Sequence, residues 1–199
     1  MPWTVVIPLK PPSIGKTRLG SDARLARAIA LDTLEAVSRA NQVSRLIVVT
    51  ADEALAREAE TYGEVIVETE PAGIAAAIAT GLAHISRETP RAALLGDLPG
   101  LGPRDLDLAL ILAAGFDRGF VRDAEGTGST LVTARGGVAF EERFGPGSAE
   151  AHRAAGLVEL DVPAVSTVRQ DVDDLDQLEA LAIRGVGPRT TSLLGLGRR

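Results

Sequence analysis

A chain of 199 residues with 45% hydrophobic and 3% aromatic side chains has the volume for one domain with an aliphatic core. Its formal net charge of −6 excludes the broad basic face that nucleic-acid binding needs, and the absence of cysteine excludes disulfides and thiolate chemistry. No apolar run reaches about 18 residues and no signal-like start is present, so a cytoplasmic chain with neither membrane nor nucleic-acid partner is expected.

The chain opens with Trp3 to Ile7, a short β-branched, apolar run. Pro8, Pro11, Pro12 and Gly15 then forbid regular structure, and a helical pattern begins at Ser21. Lys10, Lys16 and Arg18 fall in that loop. A strand, an irregular basic loop and a helix form the layout of a phosphate site in α/β proteins, where N–H groups and cations converge beyond a strand's C-terminal end. Lys10 and Lys16 are the sole lysines among 21 basic residues; every other one is arginine. An ammonium is not interchangeable with a guanidinium fork, so chemistry rather than chance is a reason for lysine there. Gly15-Lys16-Thr17 matches the end of the P-loop pattern G-x-x-x-x-G-K-[ST]. The first glycine, however, would fall at Lys10, and three prolines remove N–H donors. The loop is therefore read as a phosphate grip of another design.

Ser21 can cap a helix to about Ala40, with Leu25, Ala28, Ile29, Leu34 and Val37 as its apolar stripe. Leu46 to Thr50 is a continuous apolar run, as in a strand buried on both faces. A helix from Glu53 to Tyr62, ended by Gly63, and a strand from Val65 to Val67 follow. After Thr69-Glu70-Pro71-Ala72-Gly73 comes an Ala-rich helix to about Ser86, carrying His84, a surface or packed histidine. Ala92 to Leu95 is the next buried strand and runs into Gly96-Asp97-Leu98-Pro99; Pro103 then opens a helix to about Ala114. This alternation predicts an α/β fold with a largely parallel, doubly wound sheet. Weaker signals follow: strands at Gly119–Arg122 and Thr130–Thr133, a helix at Ala149–Ala155 capped by Ser148, extended segments at Val158–Leu160 and Val165–Arg169, and a final helix to about Ile183. One domain over residues 1–185 is expected, with a loosely held tail over 186–199.

Asp97 follows a buried strand, where an unpaired charge is costly; Mg²⁺ shared with nucleotide phosphates would satisfy it, and a turn cap is the alternative. Asp171 and Asp173 lie two apart, which in extended backbone puts both carboxylates on one side. They join Asp97 at a metal, or the acidic run caps the next helix, or both hold, with Asp174 or Asp173 as the cap. Gly126-Thr127-Gly128-Ser129-Thr130 and Phe144-Gly145-Pro146-Gly147-Ser148 are glycine-rich turns, each ending in a hydroxyl residue. Alone, each also reads as a plain loop; together they suggest an anion pocket of N–H and O–H donors.

Four pieces in this order carry a resemblance: the opening strand with PLKPPSIGKTRL, GDLP at Gly96, GTGST with FGPGS, and DVDDLDQL at Asp171. The chain resembles the phosphoenolpyruvate and 2-phospho-L-lactate guanylyltransferases of coenzyme F-420 biosynthesis, within the wider MobA-like nucleotidyltransferase superfamily. It departs from the pattern at Ile74 and Ala75, where relatives have Asn two residues after the glycine of the base loop; at DVDDLDQL, for D-V-D-T-P-E-D-L; and at GTGST, for GTGTT. The resemblance implies a single-domain, three-layer, Rossmann-like nucleotidyltransferase fold of the glycosyltransferase-A type. It implies transfer of GMP from GTP to phosphoenolpyruvate or 2-phospholactate, with pyrophosphate released and the next pathway enzyme as a partner for the product. In that reading Lys10, Lys16 and Arg18 hold the triphosphate, Gly73 meets the nucleotide, Asp97, Asp173 and Asp171 hold Mg²⁺, and Thr130, Gly145 and Ser148 hold the acceptor. Lys16, Arg18 and Asp97 are the candidate catalytic residues. The rivals are a molybdopterin or sugar-phosphate nucleotidyltransferase of the same fold, a P-loop kinase, and a non-catalytic GTP-binding protein.

Overall fold

The computed structural model describes residues 2–9 and 22–195. Seven strands form one sheet in the order β3-β2-β1-β4-β6-β5-β7. They are β1 (Trp3–Leu9), β2 (Val43–Thr50), β3 (Glu64–Val67), β4 (Arg91–Leu94), β5 (Arg118–Arg122), β6 (Ser129–Ala134) and β7 (Val158–Glu159). β1, β2, β3 and β4 pair parallel. β6 runs antiparallel to both β4 and β5, and β5 pairs parallel with β7, so β6 is the one reversed strand of the sheet. Every residue of β1 is buried, as its central place and unbroken apolar sequence require.

The helices make the outer layers. On one face Leu31, Leu34 and Val37 of α1 (Ala23–Ser38), Leu55 of α2 (Glu53–Ala59), and Leu106 and Leu110 of α4 (Pro103–Ala113) pack on Val5, Ile7, Val48 and Leu94. On the other, Ala77 of α3 (Ile74–Leu82) packs on Val6, Ile47 and Val49. Ala149 of α5 (Ser148–Ala154) packs there on Phe120 and Val132. The result is the three-layer α/β fold expected from the alternating pattern.

Several boundaries differ from the sequence expectation for local reasons. Ser21 lies outside the described residues; the observed cap of α1 is Asp22, whose Oδ1 accepts from Arg24 N at 2.9 Å. α3 stops at Leu82, and His84 is an exposed turn residue. Ser148 begins α5, but Gly147 in the left-handed region is the cap residue and no side chain caps this helix. Thr167–Arg169 is a 3-10 turn, not an extended segment. Asp105 Oδ2 bends it by accepting from Thr167 N at 2.7 Å and Thr167 Oγ1 at 2.6 Å, and Thr167 Oγ1 accepts from Gly102 N at 2.8 Å.

The helix after Asp174, α6 (Leu175–Ala182), is not the last. The expected loose tail is corrected up to residue 195: α7 (Pro188–Leu193) lies on α1, with Thr190 N donating to Asp32 Oδ2 at 2.8 Å and Arg189 reaching Asp32 and Glu35. Residues 196–199 are outside the description.

Candidate active site

β1 and β4 are parallel neighbours, and a cleft of about 490 Å³ opens beyond their C-terminal ends, walled in part by Leu9, Gly96 and Asp97. A second hollow of about 590 Å³ lies by Asp117, Arg118 and Gly156, at the start of β5. Ligand sites of parallel sheets form at strand C-termini, so the first cleft is the candidate.

One backbone bond assembles the acidic wall. The Asp97 carbonyl accepts from Val172 N at 3.0 Å. Val172 is buried among Leu25, Ile29, Leu178 and Leu181. Its neighbours on either side, Asp171 and Asp173, line the cleft with Asp97. Capping is the job of Asp174, whose Oδ1 accepts from Gln177 N at 2.9 Å; Gln177 Oε1 in return accepts from Asp173 N at 2.6 Å. The two readings of the acidic run thus fall on different residues.

The lining tests the fit of Mg²⁺. Among the described residues no group of three or more His, Cys, Asp or Glu forms a closed metal site. Mg²⁺ rarely uses one; it takes one or two carboxylates and completes its shell with phosphate oxygens and water. The described lining residues include six carboxylates (Glu68, Asp97, Asp123, Glu125, Asp171 and Asp173) and no lysine or arginine. A triphosphate is repelled by such a wall unless cations offset it, so the hard oxygen donors fit Mg²⁺.

Across the cleft, three backbone donors of the pocket expected at Gly126–Thr130 and Phe144–Ser148 are already taken. Asp123 is 7% exposed, and its carboxylate accepts from Gly126 N at 2.6 Å, Thr127 N at 3.0 Å and Gly128 N at 2.6 Å. The loop's own aspartate has taken the donors assigned to a ligand. Gly128 is required by that turn, because a Cβ there would sit 2.3 Å from Asp123 Oδ2. At the second turn Ser148 N donates to the Gly145 carbonyl and Ala149 N to the Thr127 carbonyl. Gly145 and Ser148 line the cleft, but the N–H groups of Ser148 and Ala149 at the start of α5 serve the fold.

Thr130 is not among the cleft-lining residues. β5 and β6 slip register between Val121↔Leu131 and Arg122↔Ser129, which leaves Thr130 as the extra residue of a bulge. Its hydroxyl turns inward and donates to the Val168 carbonyl at 2.6 Å, while Ser129 reaches the cleft. Thr130→Val is therefore expected to cost about 1–3 kcal/mol of folding stability by stranding that carbonyl, with acceptor KM nearly unchanged. Urea denaturation and steady-state kinetics check both halves; a large KM effect at full stability refutes the assignment.

Sequence reasoning missed His152, which is fully buried on α5. Its Nε2 accepts from Arg143 N at 2.7 Å, and its Nδ1 lies 2.9 Å from Ser129 Oγ. Phe120 and Phe144 flank the ring, each with its centroid 5.5 Å away. Burial, then the Arg143 charge, lowers its pKa to about 4, against weaker opposition from Glu141 and the Ser148 backbone. The unfolded chain therefore binds more protons between pH 6.5 and about 4, and stability falls as pH drops through that window, by about 3 kcal/mol in all. His152→Gln removes this dependence, so the stability gap between the wild type and the variant should narrow on acidification. A gap that stays constant in urea titrations at pH 7 and pH 4.5 excludes a neutral folded His152.

Gly73 lines the far wall at the start of α3, with φ 98°, a left-handed value that suits glycine. Lys10, Lys16 and Arg18 lie outside the described residues.

Residues 26–139 match the MobA-like NTP transferase domain. The chain belongs to the MobA-like NTP transferase family. The matched span includes Asp97 and the 123–130 loop and stops before Phe144–Ser148 and Asp171–Asp173. Longer matches cover those as well. A Streptomyces scabiei protein named phosphoenolpyruvate guanylyltransferase is 43% identical over 206 residues, spanning 96% of this chain and 95% of its own. A Thermomonospora curvata protein of the same name is 42% identical over 200 residues, spanning 96% and 88%. Among solved structures, a putative nucleotide-diphospho-sugar transferase from Desulfovibrio desulfuricans superposes with a TM-score of 0.67 at 18% identity, covering 98% of this chain and 95% of its own. The 4-diphosphocytidyl-2C-methyl-D-erythritol synthase of Anaerococcus prevotii gives 0.60 at 11%, covering 92% and 96%. These structures share the fold. The family match and the named relatives make this MobA-like chain a nucleotidyltransferase with a guanylyltransferase role. No helix among its described residues is long and apolar enough to cross a membrane.

Proposed function

We propose that this chain transfers GMP from GTP to the phosphate of phosphoenolpyruvate or 2-phospho-L-lactate, releasing pyrophosphate, in coenzyme F-420 biosynthesis. The observation that carries this reading is the cleft with two unlike walls, acidic at Asp97, Asp171 and Asp173 and hydroxyl-bearing at Ser129 and Ser148. The names of the relatives favour phosphoenolpyruvate as acceptor over a molybdopterin or a sugar phosphate.

An oxygen of the acceptor's phosphate attacks the α-phosphorus of GTP, and the bond from that phosphorus to the bridging oxygen breaks as pyrophosphate leaves. Asp97 and Asp173, with Asp171 beside them, would hold Mg²⁺, which supplies charge neutralisation at the phosphates. Lys10, Lys16 and Arg18 bind the triphosphate and offset the charge on the departing pyrophosphate. Gly73 leaves room at the far wall for the base. Gly145 and Ser148 hold the acceptor's carboxylate end. The chain needs to provide no nucleophile; its contribution is position and charge. Glu68 and Glu125 also line the cleft and add acidity that these cations must offset.

The test is pyrophosphate release with each of the four nucleoside triphosphates against phosphoenolpyruvate, 2-phospholactate and 3-phosphoglycerate, with the next enzyme of the pathway present to draw off the product. Turnover is expected with GTP and one of the first two acceptors. Turnover with a molybdopterin or a sugar phosphate in their place overturns the reading.

A further inference from the structure

We propose that Ser129 binds the acceptor through its hydroxyl, and that His152 is the positioning residue that aims it. This rests on the reading above, of a small acceptor that carries a carboxylate beside its phosphate.

The N–H groups of Gly126, Thr127 and Gly128 are held by Asp123, and those of Ser148 and Ala149 by Gly145 and Thr127. With those five N–H groups taken, side-chain hydroxyls become the natural further donors to a ligand anion at this wall. Ser129 is one of them and lines the cleft.

The orientation of that hydroxyl follows from the ring behind it. Arg143 N–H points at Nε2 from 2.7 Å, so Nε2 presents its lone pair. A neutral imidazole then carries its proton on Nδ1. Ser129 Oγ, 2.9 Å from Nδ1, can only accept there. Its single proton must point away from the ring, and the cleft is the open side. The ring has little freedom to do otherwise, since it is buried between Phe120 and Phe144. It also ties two parts of the site together: Arg143 immediately precedes the Phe144–Ser148 turn, so the turn and Ser129 take their positions from one imidazole.

The three groups can be separated by substitution. Ser129→Ala removes the hydroxyl. His152→Gln places an amide near Nε2, keeping an acceptor for Arg143 N–H but losing Ser129. His152→Asn places one near Nδ1 and does the reverse. With the full chain, GTP and phosphoenolpyruvate, Ser129→Ala is expected to raise acceptor KM about 10- to 100-fold, the loss of a hydrogen bond to a charged group, with calorimetric GTP affinity unchanged. His152→Gln should reproduce that KM, and His152→Asn should stay nearer the wild type. The double variant Ser129→Ala/His152→Gln should be no worse than Ser129→Ala, because both remove one interaction. An unaltered KM in Ser129→Ala overturns the proposal. So do effects that multiply in the double variant, or equal losses of GTP affinity in both His152 variants, which mark a purely structural ring.

A second measurement needs no turnover. The ¹⁵N shifts of the His152 ring should show the Nδ1–H tautomer, and should move on adding phosphoenolpyruvate to the wild type but not to Ser129→Ala. An Nε2–H tautomer, or no movement in a wild type that turns over phosphoenolpyruvate, overturns the proposal. A wild type with the expected tautomer that turns over only 2-phospholactate or 3-phosphoglycerate overturns phosphoenolpyruvate as the acceptor, and the same variants are then read with the acceptor that works.

Discussion

Asp97→Asn is expected to leave the fold intact and to abolish metal-dependent turnover. The Asp97–Val172 link runs through the backbone carbonyl, so the substitution leaves the neighbouring carboxylates in place. An amide of the same shape lacks the charge that a hard cation needs. Pyrophosphate release should be followed against Mg²⁺ concentration, with circular dichroism to confirm the fold. Near-normal turnover with the same Mg²⁺ dependence removes Asp97 from the proposed ligand set.

Lys16→Ala is expected to lower turnover about 10- to 1000-fold, roughly 1.4–4 kcal/mol of lost transition-state stabilisation. That size follows from the role proposed for Lys16, together with the acidity of the described cleft residues. The lining they form is acidic, so each cation facing the triphosphate counts for more than it does on a mixed surface. Lys16→Arg is expected to rescue only part of the activity, because a planar guanidinium differs in reach and hydration from a compact ammonium. An arginine variant with full activity would make the two lonely lysines an accident of composition.

β1, the later part of β2 and β4 could be read from the sequence because they are buried on both faces and write themselves as largely apolar runs, as at Leu46–Thr50. The direction of β6 could not be, since a short buried run looks alike either way round. Nor could its bulge, which depends on pairing with β5 and which turns the Thr130 hydroxyl inward while Ser129 lines the cleft. The acidic run at Asp171 was half legible. Alternation puts Asp171 and Asp173 together, but only the burial of Val172 and its bond to Asp97 show which wall they join. Asp123 did leave a signal, an aspartate shortly before two glycines, the pattern of a side chain that closes its own loop. α7 left one as well: Pro188 stands where proline begins helices, in the stretch expected as a loosely held tail. His152 left none, because its meaning lies in contacts with residues 143 and 129, which the chain brings together from either side.

The bond between Val172 and Asp97 also sets an order of events during synthesis. Asp97 leaves the ribosome many residues ahead of Asp171 and Asp173, and domains are made from the N-terminal end. A nascent chain that has completed β1 to β4 owns one carboxylate of the wall and none of its companions. The acidic wall is completed only as the last sixth of the chain emerges, and α7 then settles on α1. A chain cut before Asp171 therefore lacks two of the three carboxylates of that wall, together with Val172, Leu178 and Leu181, which cover Leu25 and Ile29 of α1.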